Sequence, residues 1–210
     1  MCYLLHIETA PFAREVIVAK APVFKAASNI KDPAKIAEDI AKKVNKYVEE
    51  AQFNEATAHI CAISITDEET LETETVTSQT KTEEQMLRWL FNKISGVCTV
   101  TFKGAKYVYP FLSRRGAIYG INFFAEVFYI GYTGRLLETH HMDIAKTWAC
   151  GSLSQPESIK EITDVLGVSY EEPTRPYHQL LTEEKYEEAE SQLLEEVRAL
   201  REVHSILTKN

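Results

Sequence analysis

Apolar and polar positions fall into short runs early in the chain and into helical stripes late in it. Cys2-Tyr3-Leu4-Leu5 opens as an apolar run, and the strand it predicts ends near Ile7, before Pro11 and Phe12 begin an irregular stretch. Asp32-Pro33 marks a helix start, with Asp as N-cap and Pro at the first helical position. From there Ile36, Ile40, Val44, Tyr47 and Val48 recur at helical spacing through about Ala51. His59 to Ile65 reads as a buried strand and Glu72 to Thr77 alternates like an exposed edge strand, with Asp67-Glu68-Glu69 as the turn between them.

Thr82 with Gln85 three residues later is a capping box that opens a helix through Ile94, and Gly96 ends it. Val97 to Phe102 predicts a central strand, and Tyr109 to Ile121 a helix led by Pro110. Shorter helices follow over Ala145–Cys150 and Ser158–Leu166, the second closed by Gly167. The last element, Glu183 to Leu207, is long and amphipathic, with Ala189, Leu193, Val197, Leu200 and Leu207 on its apolar stripe. Acidic residues from Glu183 to Glu190 crowd its start, where negative charge suits the helix dipole. Early strands interleaved with helices predict an α/β architecture: a mixed sheet flanked by helices.

Composition narrows the class. The 210 residues are 45% hydrophobic and 26% charged, which suits one globular domain with a real core. No apolar run reaches about 18 residues, so no membrane span is expected, and the start lacks the pattern of a signal peptide. Cys2, Cys61, Cys98 and Cys150 are scattered with no Cys-x-x-Cys pair, which argues against a zinc site and for reduced thiols in a cytoplasm. The net charge of −8 argues against passive coating of nucleic acid, so any contact with it must come from a local patch.

Candidate chemistry centres on His6-Ile7-Glu8-Thr9-Ala10-Pro11. A strand sends alternate side chains to one face, so His6 and Glu8 point the same way. Near the other end, Gln192 lies one helical turn before Glu196 on the same face. With Tyr107-Val108-Tyr109-Pro110-Phe111-Leu112-Ser113-Arg114-Arg115 and His141-Met142-Asp143-Ile144, these segments resemble, in order and spacing, the RNase H-like, DnaQ-like (DEDD-type) 3′–5′ exonucleases. The nearest likeness is to the bacterial and prophage exonucleases related to the proofreading domain of family B polymerases. Ile30 to Ile36 resembles the insertion of the phage-associated branch. The resemblance implies a single domain over 1–210 with a five-stranded mixed sheet and a long C-terminal helix. It makes about 12–55 an insertion carrying one helix.

In that family four acids over three motifs hold a pair of divalent cations, and the departures here fall on those acids. His6 stands where the family has its bridging Asp, Val108 where the second motif has Asp, and Glu196 where the third has Asp. Gln192 replaces the residue that orients water, and Glu8 alone keeps the original type. A cation pair about 3.5–4 Å apart needs flanking carboxylates, and magnesium prefers hard oxygen ligands. His6 is then either a zinc or manganese ligand with Glu8 and Glu196, or half of a His–Glu pair left in a former active site. The pair is the plainer reading. Either Glu195 or Glu196 could face inwards.

The same resemblance implies Lys103, Lys106, Tyr107 and Arg114 as substrate-binding residues, with Lys103 and Lys106 putting positive charge near a bound strand or simply solvating their loop. Arg114 and Arg115 would touch phosphate or, more ordinarily, form surface ion pairs, and Tyr107 and Tyr109 would stack on bases or fill space left by the metals. His140, His141 and Asp143 look like a metal cluster in isolation, but Asp143 reads more simply as a helix N-cap. The leading expectation is a degenerate, inactive exonuclease-like domain, associated with the 3′ end of single-stranded DNA or RNA or with a protein partner. It needs no cofactor, and magnesium or manganese would serve any residual activity. One alternative is an active metal-dependent exonuclease using His6, Glu8 and Glu196; another is a scaffold or dimerisation protein without nucleic-acid contact.

Overall fold

In the first strand, β1 (Cys2–Pro11), Leu5 and Ile7 are buried on one face, while Leu4, His6 and Glu8 share the other. The computed structural model describes residues 2–123, 141–150, 152 and 154–208, together with the backbone of 128–130 and 136–138. β1 continues to Pro11, past the expected end near Ile7, because the in–out alternation persists through Glu8 and Thr9.

The chain divides into two compact units, Met1–Glu8 with Ile60–Asn210, and Thr9–His59. The smaller unit holds helices α1 (Arg14–Lys20) and α2 (Pro33–Glu49). Asp32 caps α2 as its sequence predicts, accepting from the Ala34 amide at 2.8 Å. Segment 12–55 thus carries a helix beyond the one expected. Val16, Ile17 and Val18 are stiff β-branched residues that obscure α1, only Ile17 is buried there, and no side chain caps its start. Within this unit the Arg14 guanidinium donates to Asn45 at 2.9 Å and Lys20 to the Ala56 carbonyl at 2.7 Å.

The larger unit is built on a mixed five-stranded sheet in which β2 (Ala58–Asp67), β3 (Thr73–Thr77) and β4 (Cys98–Thr101) join β1 and a last short strand. The backbones of β5 (Phe128–Ile130) and β6 (Leu136–Glu138) form a separate antiparallel ribbon, and β7 (His141–Asp143) completes the main sheet. Strand order is β3-β2-β1-β4-β7, so β3 is an edge strand, as its polar alternation predicts. β4 runs parallel to β1, pairing Leu4 with Val100, and parallel to β7, pairing Thr101 with Asp143; β2 and β3 are antiparallel.

Helix α3 (Glu83–Ile94) begins with the predicted capping box of Thr82 and Gln85. Helix α4 (Tyr109–Ile118) follows a π-helical turn over Gly104–Val108 that the hydrophobic pattern does not announce. The C-terminal third adds α5 (Ile144–Trp148), α6 (Ile159–Leu166), α7 (Tyr177–Thr182) and α8 (Tyr186–Thr208). The long helix expected from Glu183 to Leu207 is α8, which begins three residues later, at Tyr186, and is preceded by the short α7. Lys185 donates its amide to the Leu180 carbonyl and Glu184 adopts a left-handed φ of 59°, so Glu183 and Glu184 lie in the link between α7 and α8, while Glu187 and Glu188 stand in the first turn of α8 as expected.

Leu4, Val100, Ile144, Ile159, Ile162, Ala199, Leu200 and Val203 form one buried cluster. It packs one sheet face against α6 and α8, the face that also carries His6 and Glu8. On α8 the predicted stripe of Ala189, Leu193, Val197 and Leu200 is buried. Among the described residues no helix is long and apolar enough to cross a membrane.

Candidate active site

His6 Nε2 lies 3.1 Å from Glu8 Oε1 and 3.0 Å from Glu196 Oε2. The two-residue period of β1 aligns His6 with Glu8, and Glu196 reaches them from the flank of the α8 stripe. The register of α8 is settled by this contact. Glu196 faces inwards, while Glu195 is exposed and accepts from Arg198 at 2.7 Å. Burial works against a charged His6 ring, but Glu196, by charge and hydrogen bond, and then Glu8 outweigh it and raise the imidazole pKa to about 10. Burial also lifts the Glu8 carboxyl above the ordinary carboxylate range; His6 opposes that lift and Glu196 adds to it.

Beside the trio is a small pocket of about 140 Å³, whose wall includes Ile7, Phe102, Lys103, Tyr107, Val108 and Ile159. Val108 is 5% exposed and presents hydrocarbon where the resemblance implies a carboxylate. Lys103 adopts a left-handed backbone, φ 54° and ψ 31°, and its carbonyl accepts from Tyr107 at 2.8 Å and Val108 at 3.4 Å, which closes the π-helical turn. The turn needs glycine at 104, because a Cβ there would collide with Thr101 Oγ1 and His141 Nε2. Lys103 Nζ donates to Glu157 Oε2 at 2.8 Å.

Other expected site residues are placed elsewhere. Gln192 lines a different groove with Tyr170, Arg175 and Glu188, because the helical turn separating it from Glu196 carries it away from the His6 pocket. Lys106 and Arg114 are exposed, and Tyr107 lines the pocket with its ring 5.7 Å from that of Phe111. Tyr109 is fully buried and so is not open to stack on bases; its hydroxyl bonds Thr99 and its ring meets His141 edge-on. Arg115 is not a surface arginine either. It is 7% exposed and donates through Nε to Glu83 Oε1 at 2.9 Å and through Nη2 to the other carboxylate oxygen.

His141 bonds Thr101 Oγ1 at 2.8 Å, and Asp143 accepts from the Ala145 amide at 3.0 Å as the N-cap of α5. His140 lies outside the described residues. Among the described residues, the group that could hold a metal ion is His6, Glu8 and Glu196, whose ligand atoms all lie within 4.8 Å of one another. That donor set does not fit a magnesium pair. It offers two carboxylates and a nitrogen already hydrogen-bonded to both, and the remaining position is Val108. Sequence reasoning did not pick out Glu157, which meets Lys103 of the pocket wall across 54 positions of sequence, a separation that leaves no linear pattern.

No protein-family model matches the chain, and no curated protein matches it. Among solved structures it is similar to a family B DNA polymerase from the hyperthermophilic archaeon Pyrobaculum calidifontis, with a TM-score of 0.60 at 11% identity. The similarity covers 98% of this chain and 24% of that one, so the chain spans about a quarter of the polymerase. At that identity the likeness is one of fold.

Proposed function

We propose that this chain is an exonuclease-like domain of the RNase H-like class that has lost two-metal hydrolysis and keeps a nucleic-acid-associated or interaction role. The observation that carries this reading is His6 Nε2, held between Glu8 and Glu196 at 3.1 and 3.0 Å. A protonated imidazole there is a built-in cation. It neutralises one of the two carboxylates, and a metal must displace its proton to use the nitrogen. Val108 removes a further ligand position from the wall. The order of the segments His6–Pro11, Tyr107–Arg115 and Gln192–Glu196 along the chain and the likeness to part of a DNA polymerase support the nucleic-acid context.

A second reading is favoured by the clustering of three ligand atoms within 4.8 Å: a single manganese or zinc ion bound by His6, Glu8 and Glu196. One experiment separates the two. The wild type and a variant carrying His6→Asp, Val108→Asp and Glu196→Asp are assayed for 3′-end degradation of single-stranded DNA with magnesium, manganese or zinc. The expected result is cutting by the variant alone. Degradation by the wild type that Glu8→Ala abolishes overturns the leading reading. Calorimetric binding of manganese or zinc to the wild type without cutting supports a structural metal.

A further inference from the structure

β3 is the edge of the main sheet, and its backbone groups divide between two sides. On the inner side the Asp67 amide donates to the Glu72 carbonyl at 3.0 Å and the Ser78 amide to the Cys61 carbonyl at 2.8 Å. The two-residue period between those bonds turns the amide and carbonyl of Thr73 and Thr75, and the amide of Thr77, towards the open edge. The Thr77 carbonyl accepts from the amides of Thr80 and Lys81, both at 3.1 Å, so the open ladder stops there. Among the described residues no strand pairs with that edge.

A groove of about 210 Å³ runs beside the same edge. Thr75 and Thr77 form one wall, and α7 and α8 form the other through Tyr177, Leu181, Tyr186 and Leu193. Tyr177 and Leu193 are buried, whereas Tyr186 is 46% exposed. Glu190, exposed on α8, also lines the groove. Edge strands are ordinarily guarded by lysine, proline or a bulge. The segment from Thr73 to Thr77 carries none of these, and its pairing with β2 runs without interruption.

We infer that this edge and groove bind an extended, basic segment of a partner protein, which joins the sheet as a further strand beyond β3. In antiparallel pairing the residues opposite Thr75 and Thr77 face the groove, so every second side chain of the segment enters it and is apolar to match Tyr177, Leu181 and Leu193. Glu190 and the net charge of −8 select lysine or arginine beside those apolar residues, and the same charge opposes a second copy of this chain as occupant. Binding here goes beyond the proposed loss of hydrolysis and does not depend on it: the groove and the His6 pocket share no lining residue among those described.

The test is selection of binders from a displayed library of random dodecapeptides on the whole protein, followed by fluorescence anisotropy of the selected peptide carrying a fluorescein label. The proteins are wild type, Thr75→Pro, Glu190→Lys and, as a charge-matched control on α2, Glu38→Lys, each checked for folding by circular dichroism. Proline at 75 removes an outward amide and leaves the β2 side of the ladder intact. Selected peptides should alternate apolar residues and carry lysine or arginine. Thr75→Pro and Glu190→Lys should each weaken binding about tenfold, as loss of one such contact implies, while the control binds like wild type. Hydrogen exchange at the Thr73 and Thr75 amides should slow when the peptide is bound. Should Thr75→Pro fail to fold, Glu190→Lys and the exchange measurement decide. Failure to select any binder, binding that either folded variant retains at wild-type strength, or a wild-type dimer in light scattering that Thr75→Pro dissociates overturns the inference.

Discussion

His6 and Glu196, 190 positions apart in sequence, meet through a 3.0 Å contact between Nε2 and Oε2 that joins the first strand to the last helix. The same nitrogen also faces Glu8, so one imidazole serves both carboxylates.

The first prediction concerns alkaline pH. The His6 pKa is raised from an ordinary 6.5 to about 10 in the fold, so its contribution to stability is full below pH 6.5 and lost as pH rises through about 10. Urea unfolding from pH 6 to 10 should show wild-type stability falling with pH, and His6→Gln should flatten that fall. An imidazole NMR titration should find the ring still protonated at pH 8.

Removing Glu83 should be costly. Its carboxylate receives the buried Arg115, the Tyr119 hydroxyl at 3.0 Å and the Ile60 amide at 2.8 Å. Glu83→Ala leaves a charge and two donors without this acceptor, and about 3–5 kcal/mol should be lost in denaturant unfolding. Asp164→Ala removes only the exposed partner of Lys160 and should cost less than about 1 kcal/mol.

Gly104→Ala should destabilise the protein by about 1–3 kcal/mol or more, because the added methyl meets Thr101 and His141 within the packed turn. Lys103→Gly, one residue earlier, should instead be tolerated by the backbone at its left-handed φ. Thermal melts of the two variants should move in clearly different degrees.

Val108→Asp alone should weaken the fold, since it places a new carboxylate at a site 5% exposed, beside two existing ones. The loss should shrink as pH falls, when the new acid is protonated. A stability difference from wild type that is independent of pH between 4 and 8 would contradict this.

Legibility from sequence followed physical range. Caps and stripes are local, so Asp32, Thr82, Ser158 and Gly167 marked helix ends that the fold uses. The His6–Glu8 alignment is equally local, being one strand period. The π-helical turn at Gly104–Val108 was not legible, because its cause is the distant packing of Thr101 and His141 around a missing side chain. Tyr109 and Arg115 look like surface residues by type, and only Thr99 and Glu83 from other elements draw them inside. Gln192 shares a face of α8 with Glu196, yet the rise of one helical turn, about 5.4 Å, suffices to set it in another groove.

Asp143 accepts from the Ala105 amide of the π-helical turn and from the Ala145 amide of α5, and so ties the two elements together. Because a single carboxylate holds the backbone next to both Lys106 and Lys146, Asp143→Asn should leave each ammonium in place chemically while loosening the distance between them. The spacing of the two elements and the charge they carry are thereby adjustable one at a time.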